Sequence, residues 1–78
     1  MQTLGETRVR TSFNPDNNSA VDIIKQKSAE LINLVNDLPM PKKFEEDKFM
    51  QGEFARAKAK AITEIEDGAM WAVKTATF

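Results

Sequence analysis

The chain has 78 residues, with 11 Lys and Arg against 12 Asp and Glu, and neither Cys nor His. So short a chain makes one domain at most and is marginal without staples; disulfides and the usual zinc sites are excluded, which leaves oligomerisation as the common remedy. The formal net charge of -1 argues against a general DNA- or RNA-polymer binder, which is normally basic.

No apolar run approaches the roughly 20 residues that span a bilayer. The N-terminus lacks a signal-peptide core, so a cytosolic protein is expected. Without His or Cys, a catalyst would depend on carboxylates or a perturbed Lys in a closed pocket, which a lone helical hairpin does not offer. No enzymatic activity, cofactor or metal is expected.

In chain order, Met1 to Thr7 is polar and contains Gly5; it reads as a loose tail ahead of a single domain over 8–78. Arg8 to Phe13 alternates weakly and reads as a short extended arm. Asn14-Pro15-Asp16-Asn17-Asn18-Ser19 is turn chemistry, because Pro15 pushes Asn14 out of the helical region and Asn and Asp bond their own backbone. Ser19 with Asp22 resembles a capping box, so helix one is expected from about Ala20 to Asp37. Val21, Ile24, Ser28, Leu31, Val35 and Leu38 alternate spacings of three and four, a heptad seam. Ile23, Ile32 and Leu34 lie off it, more apolar surface than one partner helix covers.

Leu38-Pro39-Met40-Pro41 ends helix one, since neither proline donates a backbone hydrogen bond. Helix two is expected from near Lys43 to about Thr75, with Gln51-Gly52 as the point where it would break. Its stretch from Phe54 to Lys74 is rich in Ala, Glu, Lys and Ile and free of Pro, the composition of a strong helix. Phe54, Ala61, Ile65, Ala69, Ala72 and Val73 form one apolar stripe. The many alanines keep this helix slim, open to close approach by neighbours. The predicted fold class is all-α: an antiparallel helical hairpin with a short extended N-terminal arm, assembling into an oligomer.

Several pieces match a known family. Phe13-Asn14-Pro15-Asp16-Asn17-Asn18 leads into Val21-Asp22-Ile23-Ile24-Lys25 and Ala29-Glu30-Leu31-Ile32; later come Arg56, Ala61-Ile62-Thr63, Glu66 and, most specific, Met70-Trp71-Ala72-Val73-Lys74. Over roughly Arg8 to Ala76 the chain resembles the small phage anti-CBASS proteins that act as cyclic-oligonucleotide sponges. The resemblance implies a homohexamer of helical hairpins in the host bacterial cytoplasm. It implies sequestration, without cleavage, of cyclic dinucleotides such as cGAMP and of cyclic trinucleotides.

Such ligands present anionic phosphates and flat bases, which call for cations and a stacking plane. By the resemblance, Phe13 stacks on a base, replacing the family's frequent Tyr and losing its hydroxyl. Lys25 meets a phosphate, with Lys27 as a rival on another face. Arg56 contacts phosphate in a second, trinucleotide site about a threefold axis, where Ser28 supplies a hydroxyl. Each also has a plainer role: Phe13 as a hydrophobic staple, the lysines as solvated charges, Arg56 as a partner of Glu53. Met70 and Trp71 are read as packing residues, and Glu64, Glu66 and Asp67 as a solvated acidic face beside Lys60 and Lys74. The alternative function is a structural or regulatory hairpin that binds a protein partner through its apolar stripe and has no nucleotide ligand; a carboxylate-based hydrolase is a third.

Overall fold

A computed structural model describes residues 2–11 and 18–78. Among the described residues three α-helices occur in order: α1 (Leu4–Val9), α2 (Ser19–Asn36) and α3 (Lys48–Ala76), with a 3-10 turn at Lys42–Phe44 between the last two. No strand occurs among the described residues.

The hairpin is antiparallel, as the sequence predicts. Lys58 Nζ on α3 donates to the carbonyls of Asn36 (3.1 Å) and Leu38 (2.7 Å) at the C-terminal end of α2. At the other end Asn18 Nδ2 reaches the Ala76 carbonyl at 3.5 Å. The Asn36 contact satisfies one of the carbonyls that a helix end leaves without an intrahelical partner. Because α3 starts ten residues before Lys58, its first turns project past the end of α2 by about 15 Å, at ~1.5 Å per residue. Phe49 and Arg56 are carried on this projection and are exposed.

The N-terminal region departs from the expectation. Residues read as a tail and an extended arm instead contain α1, opened by a full capping box: Thr3 Oγ1 accepts from Glu6 N (3.2 Å) and Glu6 Oε1 from Thr3 N (2.8 Å). The bond from Thr3 N, with the Thr3 side chain beside it, holds Glu6 below the ordinary glutamate range, because donors to the carboxylate favour its charged form. Arg10 closes the helix in the left-handed region (φ 55°, ψ 56°), with Thr11 N bonded to the Glu6 carbonyl and Arg10 N to that of Thr7. That is a Schellman stop. Asn33 fixes the helix on α2, its Oδ1 accepting from Gly5 N at 2.7 Å and its Nδ2 donating to Thr3 Oγ1 at 3.0 Å.

With α1 as a second neighbour, the buried face of α2 is rotated from the expected seam. Val21, Lys25, Ala29 and Ile32 are buried, and Ile32 is fully so. Ile24, Ser28 and Val35 are partly buried, whereas Leu31 and Leu38 are exposed. The heptad seam assumed one partner helix; α2 has two. Its cap also moves by one residue, since Asn18, rather than Ser19, accepts from Ala20 N and Val21 N.

Helix α3 begins later than expected, at Lys48. Asp47 caps it through Oδ1 to Met50 N, and Gln51 Nε2 ties the helix to the Phe44 and Glu45 carbonyls. Gln51-Gly52 does not break it, and the helix runs one residue past the expected Thr75. The core is a small cluster of Val9, Ala29, Ile32, Ile62 and Ala69, flanked by Val35 and Ile65. It includes Ala69 of the predicted stripe, with Ile65 of that stripe packed against it, and Val9 from the segment read as an arm.

Candidate functional site

Where the end of α1 meets the middle of α2 and the last turns of α3, a groove of about 430 Å³ opens. Among the described residues, Arg8, Arg10, Lys25 and Lys74 supply cations along it, Glu66 a single carboxylate, and Val9, Ala69, Met70 and Val73 an apolar wall. The sequence places these groups together for identifiable reasons. Glu66, Ala69, Met70 and Val73 recur at spacings of three and four on one face of α3, and the Schellman stop turns Arg10 back over α2.

Lys25 joins the parts. Its side chain is buried, 6% exposed, and its ammonium donates to the Arg10 carbonyl at 3.0 Å. Burial lowers its pKa, the Arg10 charge lowers it further and Asp22 raises it. A buried ammonium is costly unless its protons have partners, and the Arg10 carbonyl is one of them. An anionic ligand oxygen in the groove would stabilise the charged form. Across the groove Arg8 pairs with Glu66 Oε2. Both side chains are about a third or more exposed, so this pair contributes only about 0.2–1 kcal/mol. Lys74 Nζ lies 5.0 Å from the centre of the exposed Trp71 ring, within cation–π range.

The family comparison agrees with this architecture. The family model described as Acb2/Tad1, hairpin domain, matches residues 5–77, from inside α1 to just past α3. The chain belongs to the Acb2/Tad1 hairpin-domain family. This is the anti-CBASS sponge family that the Asn-Pro turn and the Met-Trp-Ala-Val-Lys run resemble. Comparisons with curated proteins and with solved structures give no match.

Against the Acb2/Tad1 reading, the candidate residues fall into separate places. Phe13 lies outside the described residues. Lys25 is in the groove. Lys27, two positions on, is exposed on a different face of α2, and Ser28 is partly buried. Arg56 sits on the projecting start of α3, paired with Glu53 and 77% exposed, beside a shallow groove with Ala57 and Lys60. It is ten residues, about 15 Å along the helix, from Glu66, so one chain does not bring Arg56 to Lys25.

Arg8, Arg10, Glu66 and Lys74 are groove residues that the sequence reading did not assign to a site. The pair Arg8-x-Arg10 was the available signal, hidden because α1 is too short to show helical periodicity. Met70 and Trp71, read as packing residues, are 64% and 60% exposed in the chain.

Proposed function

We propose that this chain is a sponge for cyclic oligonucleotide second messengers, which it binds and withholds from their effector without cleaving them. One observation carries the proposal: a chain of the Acb2/Tad1 family places Arg8, Arg10, Lys25 and Lys74 around one groove with an apolar wall. Cations answer the phosphates of a cyclic dinucleotide such as cGAMP, and the wall takes the face of a base. Phe13 supplies the stacking plane, by the family resemblance.

Lys27 stays the rival of Lys25 for the dinucleotide phosphate, whereas Arg56, with a hydroxyl from Ser28, belongs to a second site for cyclic trinucleotides. Its exposure and its distance from the groove suit a site completed by self-association into a hexamer. Ile23, Leu34, Phe49, Met70 and Trp71 are each more than half exposed and provide apolar surface for that assembly. The same surface favours the alternative, a hairpin that binds another protein and no nucleotide.

Equilibrium dialysis against cGAMP and a cyclic trinucleotide separates these readings. The sponge retains both ligands, and heat denaturation returns them intact by chromatography. Free passage of both ligands contradicts nucleotide binding, and fragments in the released material contradict sequestration.

A further inference from the structure

We infer that Glu66 selects guanine in the bound messenger; the inference rests on the groove being the sponge's dinucleotide site. Among the described residues that line the groove, Glu66 is the one carboxylate, and every other charged group there is a cation. Toward a phosphate it is a liability, because like charges repel. Toward a base edge it is selective. Arg8 holds its Oε2, the side chain remains 31% exposed, and Oε1 accepts no hydrogen bond among the described residues. One and two turns on, Met70 and Val73 offer the apolar surface against which a flat base can lie.

A fixed carboxylate accepts hydrogen bonds and donates none. The Watson–Crick edge of guanine presents two adjacent donors, N1–H and the exocyclic amine, which match the two carboxylate oxygens. Adenine offers its amine beside an acceptor nitrogen that the carboxylate repels. Uracil offers one N–H flanked by two carbonyl oxygens. Guanine is therefore the base for which the carboxylate leaves no repelled acceptor at the contact. A bidentate contact of this kind discriminates between bases on the order of 10- to 100-fold.

The test is calorimetric titration of the full chain with three 3′,5′-linked probes: cyclic di-GMP, cyclic GMP–AMP and cyclic di-AMP. The expected result is binding of the two guanine-containing probes about 10- to 100-fold more tightly than cyclic di-AMP. Glu66→Gln preserves an acceptor for Arg8 but loses the second acceptor oxygen, and should bring the three affinities to within a few-fold of one another. Arg8→Ala removes the ion pair yet leaves the carboxylate; it should weaken all three probes alike and keep their ratio. Equal affinities in the unaltered chain overturn the inference while leaving the sponge standing, and a Glu66→Gln chain that keeps the guanine preference does the same. No binding of any probe overturns the sponge reading together with this one.

Discussion

Gly5 lies directly against the backbone of Ala29: a β carbon on Gly5 would stand 2.0 Å from the Ala29 carbonyl oxygen and 2.8 Å from its α carbon. The contact lets α1 sit close enough for Gly5 N to reach Asn33 Oδ1 at 2.7 Å, and so sets where Arg8 and Arg10 enter the groove. A residue read as part of a loose tail thus fixes one side of the candidate site.

Gly5→Ala should therefore cost at least the about 1–3 kcal/mol typical of overpacking, since backbone atoms cannot swing aside. It should also displace α1. Gly52→Ala and Gly68→Ala place a methyl in open space inside α3 and should each stabilise the chain by about 0.5–1 kcal/mol. Denaturant midpoints of the three variants check the contrast; a neutral Gly5→Ala would mean that α1 does not dock at Ala29.

Arg10 carries a side chain where the backbone favours glycine, at φ 55°. Left-handed backbone costs a non-glycine residue about 1 kcal/mol, and retaining Arg there is explained by its place in the groove. Arg10→Gly should raise stability by up to about 1 kcal/mol while weakening cGAMP binding. Chemical denaturation and calorimetry on the same sample measure both quantities. Lower stability with unchanged affinity would remove Arg10 from the site.

The lowered pKa of Lys25 makes binding depend on pH. The free chain sheds this proton below the ordinary lysine value of about 10.4, whereas a bound phosphate favours the charged form. Affinity for cGAMP should hold steady below the folded-state pKa and fall as pH rises through it. In Lys25→Met that alkaline loss should disappear, along with part of the affinity. An identical pH profile in the variant would show that Lys25 does not meet the ligand.

The hairpin itself was legible. Apolar spacing gave both long helices, and the two prolines of Leu38-Pro39-Met40-Pro41 marked the end of the first. The register of α2 was not, because Ile24, Leu31 and Leu38 satisfy a heptad as well as Val21, Ala29 and Ile32 satisfy the observed face. Only the presence of α1 decides between them, and six residues are too few to show a period. Lys25 stood out through the family resemblance, yet its burial beneath the α1 terminus followed from tertiary packing alone. Glu66 read as solvated because its partner, Arg8, lies 58 residues away in sequence. Arg56 remains where helix periodicity put it, exposed on α3, and its proposed role depends on a neighbouring copy.

The central claim is capture of cyclic nucleotides, and calorimetric titration with a panel of cyclic di- and trinucleotides, on protein whose mass in solution is known, tests it most directly. The account predicts sub-micromolar binding, on the order of 9 kcal/mol or more, at a fixed number of ligands per oligomer. It also predicts that Arg56→Ala selectively weakens the trinucleotides and Lys25→Ala the dinucleotides. A folded oligomer that gives no heat with any member of the panel would contradict it.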